Sequence, residues 1–363
     1  MTCRAAIIDQ FEDAADGVRV VSDFILPPLG DTDVEIAVVA AGVNPVDCLV
    51  RQGYGDPLLR RYGAPGFPRV LGCDVAGIVS AVGAGVDRFR VGDRVWAAVP
   101  PWRQGAYAER VRLPADWVAH APTRIPLRDA AALPYAGRVV WQALAESAGL
   151  HRVRGQRLFV HAGAGGVGSI AIQLAVAWGH EIGSTCSTGN VSFLRELGAT
   201  QVVDYTREQF DQVCRDYDVV FNTLAPDPPR WDERPHLRIL RRGGTYVTLI
   251  TPVMHLATLL GARPGLVLAG GLYWSTALWQ RAVHARRYHW ILFQPDGRTL
   301  AELASYVDDG LLRPVIRSRY PLEQVAAAQQ DCERGHGRGK VMIDIGDEEA
   351  LLADPASANR GEQ

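Results

Sequence analysis

Residues 159–171 read FVHAGAGGVGSIA, in which an apolar run leads into a glycine-dense segment and a second apolar run follows. This order predicts a β-strand that ends in a tight turn and opens a helix. Gly163 and Gly165 would allow the turn and let backbone N–H groups approach a pyrophosphate at the helix N-terminus. Gly168 would let the helix pack closely on the strand. The alternative is a glycine loop that serves packing alone. We predict a dinucleotide-binding site here.

Around this turn, from residue 126 to residue 314, strand-like and helix-like segments alternate. This alternation is typical of βαβ units, so we expect an α/β fold with a doubly wound parallel sheet in 126–314. Residues 1–125 carry short alternating apolar runs broken by Gly and Pro, which predict a β-rich domain that strands in 315–346 rejoin. The charged, alanine-rich residues 347–363 are predicted to form a flexible tail.

The composition limits the partners of the chain. Of its 363 residues 48% are hydrophobic and 21% are charged, and 38 bases against 40 acids leave a net charge of −2. Proteins that bind nucleic acid rely largely on electrostatic attraction to its phosphates, and a chain this close to neutral lacks the necessary positive charge. We therefore expect a small-molecule substrate and no nucleic acid. Six cysteines without a C-x-x-C pair, and a start that runs straight into a strand, favour a cytoplasmic protein.

One uncharged run, residues 264–280 (PGLVLAGGLYWSTALWQ), is shorter than the roughly 20 apolar residues that span a bilayer, so we expect no membrane span. We interpret this run as buried or pocket-lining. It belongs to an aromatic-rich segment, residues 254–293, whose clustering favours a wall for a flat or long apolar substrate. Each aromatic residue taken singly is equally consistent with the core.

The end of the second predicted strand bears on the choice of cofactor. NAD enzymes place an Asp or Glu about 20 residues after the glycine turn to bind the ribose hydroxyls, but residues 182–188, IGSTCST, contain no carboxylate. A 2′-phosphate would meet no repulsion there, and Ser187, Asn190 and Tyr205 can donate hydrogen bonds to it. We therefore predict NADPH. Alternatively, Ser187 and Asn190 cap the helix that follows, and Tyr205 is a strand-end aromatic.

Four segments carry a family resemblance. They are VNPVD at 43–47 with RQGY at 51–54, LGCDVAG at 71–77, AGAGGVG at 162–168, and LGA at 197–199 leading to VDY at 203–205. From residue 4 to about residue 345 the chain resembles the zinc-free quinone oxidoreductase branch of the medium-chain dehydrogenase/reductase superfamily. The resemblance implies a GroES-like domain, an inserted Rossmann domain, and NADPH in the cleft between them. Relatives in this superfamily commonly form homodimers through the last Rossmann strand, and the sequence itself leaves the oligomeric state open.

The resemblance also implies cofactor contacts at individual positions. With Gly168 of the turn, the predicted cofactor-binding residues are Ala164, Gly165, Gly166, Val167, Ser187, Tyr205, Asn222, Leu249, Arg338, Gly339 and Lys340. Many relatives carry a lysine beside the 2′-phosphate, and Ser192 stands at that position here. The departure removes one cation without supplying an acid for NAD.

Zinc-dependent relatives place their ligands in two segments that differ in this chain. Asn44-Pro45-Val46-Asp47 and Gly72-Cys73-Asp74 occupy those segments, no histidine is near them, and there is no four-cysteine loop. Catalytic zinc needs three soft, imidazole or carboxylate ligands and an open position. We therefore predict no metal, and alcohol oxidation, which needs a Lewis acid or a strong base, is disfavoured.

The hydride acceptor that remains is a conjugated carbonyl, such as a quinone, an enone or an enoyl thioester. Tyr54 is the predicted catalytic donor to the carbonyl oxygen, with pocket lining as its alternative role. Asn44 is predicted to hydrogen-bond the substrate or the nicotinamide ribose, and Asp47 and Arg51 to form a buried ion pair.

The function predicted from the sequence is a zinc-independent, NADPH-dependent reductase of a quinone or another activated carbonyl acceptor. One alternative is an enoyl-thioester reductase of fatty-acid or polyketide type. The other is a non-catalytic NADPH-binding scaffold, because a fold can outlive its chemistry.

Overall fold

The computed structural model describes residues 2–224, 232–335 and 337–354. Its strands, in chain order, are β1 (Thr2–Ile8), β2 (Arg19–Ile25), β3 (Asp33–Val43), β4 (Arg69–Val70), β5 (Asp74–Val82), β6 (Arg94–Ala98), β7 (Arg110–Pro114), β8 (Val118–His120), β9 (Arg157–Val160), β10 (Glu181–Cys186), β11 (Gln201–Asp204), β12 (Tyr217–Asn222), β13 (Leu240–Thr248), β14 (Arg287–Trp290), β15 (Ile316–Pro321) and β16 (Lys340–Asp344).

The α-helices are α1 (Pro45–Arg51), α2 (Asp56–Arg61), α3 (Leu127–Ala130), α4 (Pro134–Val140), α5 (Gly166–Ala177), α6 (Val191–Glu196), α7 (Phe210–Val213), α8 (Arg234–Ile239), α9 (Val253–Leu260), α10 (Ala262–His284), α11 (Gly297–Asp308), α12 (Val325–Glu333) and α13 (Glu348–Ala353). The contacts divide the chain into two compact units. The first unit comprises the residues up to Arg138, Gln294–Gly335 and the residues from Lys340 on, and the second comprises Val139–Phe293 and the segment that ends at Gly339.

The second unit is a parallel sheet with the strand order β11-β10-β9-β12-β13-β14. This is the doubly wound Rossmann order, in which the first strand of the unit lies in the middle and the carboxyl ends of all strands meet at one edge. The central strand β9 is buried on both faces, as its apolar run Leu158-Phe159-Val160 requires. Phe159, Val220 and Tyr246 belong to one core cluster.

The first unit is built on two mainly antiparallel sheets, in which β15 pairs with β16 in parallel. One has the order β15-β16-β3-β5-β6-β8, with β7 paired to β3, and a smaller one has the order β2-β1-β4. The late strand β16 pairs with β3, for example Met342 with Gly42, so the chain returns to the unit in which it began. The predicted fold class, a GroES-like β-rich domain plus a Rossmann domain, is confirmed.

Two local predictions are wrong. Most of residues 264–280 are not buried; they lie in α10, where Val267 is 77% and Trp274 65% exposed, and only Gly265, Ala269 and Gln280 of this helix are buried. Because this run contains no charged residue, its exposed side gives α10 an apolar face in contact with solvent. The predicted tail begins with α13, because Asp347 caps this helix at Ala350 N and Glu348 pairs with Arg94 at 2.9 Å. Residues 355–363 lie outside the described residues. In the described part of the chain, no helix has both the length and the apolar character to cross a bilayer.

Candidate cofactor site and active site

The turn between β9 and α5 is built by close backbone contacts. Ala162 adopts a left-handed conformation with a φ of 57°. A Cβ atom on Gly163 would lie 2.1 Å from Ser184 Oγ, and one on Gly168 would lie 2.4 Å from the Ala162 carbonyl oxygen. Neither position has room for a side chain, so both glycines are needed for the strand and the helix to pack.

Gly165 differs, because the protein itself does not require glycine there. Its φ of −74° suits any residue, and a Cβ atom would meet only the Ala162 carbonyl oxygen, at 3.5 Å. Gly165 is the N-cap of α5, and no side-chain hydrogen bond caps this helix. The N–H groups of Gly166, Val167 and Gly168 in the first turn are therefore available to an anion.

The segment before β16 lies against this turn. The Gly339 N–H donates to the Ala164 carbonyl oxygen at 2.9 Å, and Gly339 forms a parallel bridge with Gly165. Gly339 has a φ of 77°, in the left-handed region that favours glycine. This contact fixes the backbone next to Arg338 at the glycine turn.

Arg338 reaches the residues that follow β10. Its Nε donates to Asn190 Oδ1 at 3.2 Å, and its guanidinium lies 4.3 Å from the centre of the Phe193 ring. Asn190 Nδ2 in turn donates to Ser187 Oγ at 3.3 Å, and neither Ser187 nor Asn190 uses its side chain to cap a helix. The structure thus brings Ser187, Asn190 and Arg338 together, and Arg338 supplies the cation that Ser192 does not.

The end of β11 lies beside the end of β10. Tyr205 N donates to the Cys186 carbonyl oxygen at 3.0 Å, which places Tyr205 next to the Ser187 turn. Asp204, which the sequence reasoning did not single out, accepts hydrogen bonds from Thr188 Oγ1 at 2.5 Å and Thr206 Oγ1 at 2.7 Å. These hydroxyls lower the pKa of the Asp204 carboxyl. Asp204 therefore serves as the acceptor that closes this turn.

Asn222 and Leu249 follow the same edge of the sheet. The buried Asn222 ends β12, and its carbonyl oxygen accepts from Leu249 N at 3.1 Å just after β13. Asn222 Nδ2 donates to Tyr246 Oη at 3.2 Å, so the amide is held within the protein. Together with the glycine turn, Ser187 and Tyr205, these residues place the predicted cofactor contacts of this unit at the carboxyl ends of five adjacent strands.

A polar cluster that the sequence did not reveal continues from Tyr246. Tyr288 Oη donates to Glu233 Oε2 at 2.8 Å, and Trp290 Nε1 donates to Tyr288 Oη at 2.8 Å. Burial raises the pKa of Glu233 to about 7, and hydrogen bonds from Tyr288 and Tyr246 oppose that rise. A carboxyl in such surroundings exchanges its proton near neutral pH.

In the first unit, Asn44, Asp74 and Lys340 form a buried charged network. Lys340 Nζ lies 2.7 Å from Asp74 Oδ2 and 2.5 Å from Asn44 Oδ1, and Asn44 Nδ2 donates to Asp74 Oδ2 at 2.8 Å. Tyr135 N donates to the other Asp74 oxygen at 2.6 Å. Asn44 is thus engaged at both ends of its amide, and Lys340, predicted to contact the cofactor, has its ammonium in an internal ion pair.

The ion pair predicted between Asp47 and Arg51 is wrong. Asp47 faces the start of α1, where its Oδ2 accepts from Asn44 N at 2.8 Å and from Tyr107 Oη at 2.9 Å. Arg51 faces α12 instead, and its Nη2 lies 2.5 Å from Glu333 Oε1. The capping box at Asn44 turns the Asp47 side chain away from the turn that carries Arg51.

The two predicted catalytic residues stand at opposite ends of α1. Asn44 is the N-cap of this helix, and the half-buried Tyr54 lies on the turn after it, with its N–H donated to the Leu49 carbonyl oxygen at 3.0 Å. The sequence predicted no catalytic role for Tyr135, yet this residue adjoins Asp74. Burial and the neighbouring acidic groups raise the pKa of Tyr135 well above its ordinary value, so its phenol stays a donor.

The residues of the first unit do not fit a zinc ion. Among the residues that the structure describes, no group of three or more His, Cys, Asp or Glu side chains could hold a metal. Asp74, which stands where zinc-dependent relatives have a ligand, is already paired with the Lys340 ammonium. A metal ion would have to displace this buried cation.

Comparison with known proteins gives consistent matches along the chain. Residues 30–123 match the family model of the alcohol dehydrogenase GroES-like domain, and residues 197–343 match the model named zinc-binding dehydrogenase. The mitochondrial NAD(P)H oxidoreductase RTN4IP1 of Mus musculus is 36% identical over 347 residues, which cover 90% of this chain and 86% of that protein.

Two further proteins are similar over almost the whole chain. The chloroplastic NADPH-dependent alkenal/one oxidoreductase of Arabidopsis thaliana is 30% identical over 338 residues, or 90% of this chain and 76% of that protein. The quinone oxidoreductase from Coxiella burnetii has a solved structure that matches with a TM-score of 0.78 and 28% identity, covering 95% of this chain and 100% of that one. The chain therefore belongs to the quinone oxidoreductase branch of the medium-chain dehydrogenase/reductase family of NAD(P)H-dependent oxidoreductases.

Proposed function

We propose that this protein is a zinc-independent reductase that binds NADPH in its second unit and reduces a quinone or another α,β-unsaturated carbonyl compound. The observation that carries the proposal is the open position at Gly165 next to Arg338. A glycine that neither backbone geometry nor packing requires leaves space for a pyrophosphate at the helix start. The contacts of Arg338 with Asn190 and Phe193 hold a cation close to this turn.

The preference for NADPH over NADH rests on charge. β10 ends at Cys186 without the carboxylate that binds ribose hydroxyls in NAD enzymes. Arg338, Asn190 and Ser187 offer one charged and two neutral groups that suit a 2′-phosphate. The carboxylate of Asp204 is occupied by two hydroxyl groups and pairs with Arg207 at 3.4 Å.

The acceptor class follows from the groups that can assist the reaction. NADPH supplies the hydride when it is bound, and the protein must then stabilise negative charge on the carbonyl oxygen of the substrate. Tyr54 and Tyr135 are the phenols that we propose for this task. Asn44, with both ends of its amide engaged, acts as a positioning residue that keeps Asp74 and Lys340 in place.

The relatives support this acceptor class. The matched Arabidopsis thaliana protein is named for alkenals and alkenones, and the matched Coxiella burnetii structure is named for quinones. A homodimer paired through β14, the edge strand of the parallel sheet, remains an expectation from the superfamily, and a cytoplasmic location remains a prediction from the sequence.

The test is NADPH oxidation, followed by absorbance, with a quinone, an enone and an enoyl thioester in parallel. We expect turnover of the quinone or the enone. Turnover of the enoyl thioester alone would favour the fatty-acid or polyketide alternative. NADPH binding without oxidation by any acceptor would favour the scaffold, and either result would contradict the proposal.

A further inference from the structure

The longest helix, α10, presents apolar side chains to solvent. Val267, Trp274 and Leu278 are 77%, 65% and 61% exposed, and their spacing of seven and four residues places them on one face. The opposite face, which packs on the protein, contains the buried Gln280. A surface helix normally has the reverse arrangement, with its apolar stripe toward the core.

This apolar face extends beyond the three residues named above and includes exposed side chains of both α9 and α10. We call it the α9–α10 face. Its exposed members are Leu259, Leu260, Val267, Leu268, Leu272, Trp274, Leu278, Trp279 and Val283. Scattered exposed apolar residues need no explanation, but a set concentrated on two helices that pack against each other marks an interaction site.

The surroundings of the face are basic. Residues 251–295 contain four arginines, at positions 263, 281, 286 and 287, and no Asp or Glu. The chain as a whole carries a net charge of −2, so this concentration of positive charge is local. Arg263 and Arg281 are exposed and lie near the two ends of α10. The face therefore suits an occupant that is apolar and negatively charged.

We propose that the α9–α10 face binds the surface of an anionic lipid bilayer. Helices that lie in a membrane interface bury Trp, Leu and Val among the acyl chains and keep Arg at the headgroups, where each basic residue adds attraction to anionic lipid. The face matches this pattern in its side chains and in its charge.

Two other occupants match less well. A second copy of the chain, related by twofold symmetry, would bring the same arginines toward each other. An acidic protein partner would be expected to use hydrogen bonds as well as apolar contacts. Ser275 is a hydroxyl residue on this side of α10, and its Oγ already donates to the Leu272 carbonyl oxygen at 3.0 Å. A lipid surface requires no such hydrogen bonds.

The test is co-flotation of the full chain with vesicles of phosphatidylcholine mixed with phosphatidylglycerol, compared with vesicles of phosphatidylcholine alone. We expect flotation with the mixed vesicles, and less of it at high salt. The triple variant Val267→Ser, Trp274→Gln, Leu278→Gln should lower the partition coefficient by about 10-fold or more. The double variant Arg263→Gln, Arg281→Gln should lower it by about 10- to 30-fold on the mixed vesicles.

The matched control replaces three exposed apolar residues elsewhere, Ile25→Ser, Val91→Ser and Val153→Ser. This control should float like the wild type, and circular dichroism should show that every variant is folded. No flotation of the wild type with mixed vesicles, or equal flotation of the triple variant, would overturn the proposal. A wild-type dimer that the triple variant converts to a monomer, without lipid binding, would assign the face to a second copy. The proposal does not depend on NADPH oxidation.

Discussion

Replacing Lys340 by Met would remove the ammonium from the buried network of the first unit. Asp74 is fully buried and Lys340 is 5% exposed, so the variant leaves a carboxylate without its cation in a site that water does not reach. Breaking one partner of a buried ion pair costs about 3–5 kcal/mol, a large part of the stability of a typical domain. The Asn44 side-chain oxygen would also lose its donor.

The assay is urea denaturation followed by circular dichroism, with the double variant Asp74→Asn, Lys340→Met measured beside the single one. We expect the single variant to lose about 3 kcal/mol or more in the free energy of unfolding, and its Tm to fall by ~10 °C. Asn at position 74 keeps an acceptor for Tyr135 N and has no charge, so the double variant should recover about half of the loss. Arg281→Met, at an exposed position, should cost less than ~0.5 kcal/mol. A loss of under ~1 kcal/mol for Lys340→Met would refute the reasoning.

Three further variants test separate parts of the account. Arg338→Gln should raise the KM for NADPH by roughly 10- to 100-fold and leave the KM for NADH nearly unchanged. The measurement is steady-state kinetics, with Arg298→Gln as the control. Equal effects on both coenzymes would remove Arg338 from the 2′-phosphate site. Tyr54→Phe should lower kcat by ~10-fold or more if this phenol donates to the substrate, and unchanged kinetics would leave Tyr135 as the donor. Glu233→Gln should stabilise the protein as pH rises. Burial raises the Glu233 pKa to about 7, so the native state holds a proton that the unfolded state releases from pH ~4.5 upward, and stability is lost between these values. The variant should therefore match the wild type near pH 4.5 and exceed it by ~2 kcal/mol at pH 8, and an equal difference at both pH values would contradict the assignment.

The sequence predicted those features that depend on local order. The apolar run 158–160 and the glycines after it indicate a buried strand and a turn, and the packing of Gly163 and Gly168 agrees with that interpretation. The alternation of strands and helices predicts a parallel sheet, and the carboxyl ends of β10 and β12 do lie at the same edge of that sheet as the end of β9. The ligand contacts at this edge stay predictions, because they require a bound cofactor.

Features that depend on distant residues could not be predicted. Asp47 and Arg51 are spaced for an ion pair on one helix, but Arg51 pairs with Glu333, which reaches it only because α12 packs beside α1. Lys340 meets Asp74 through the pairing of β16 and β5 with β3, and no local pattern shows this. The run 264–280 lacks charge, which indicates burial inside the protein. It cannot show that these side chains instead face solvent, where we propose that a lipid surface binds them.

The most direct test of the central claim is calorimetric titration of NADPH and NADH into the wild type and the Gly165→Ala variant. A methyl group at Gly165 meets no protein atom closer than 3.5 Å, so the variant should keep its fold and a Tm within a few degrees of the wild type. We expect the wild type to bind NADPH at least ~10-fold more tightly than NADH, and the variant to lose ~10-fold or more of that affinity. Gly270→Ala, where a Cβ would meet nothing within 4 Å, serves as the control and should bind like the wild type. Absence of heat from NADPH with the wild type, or unchanged affinity in Gly165→Ala, would contradict the account.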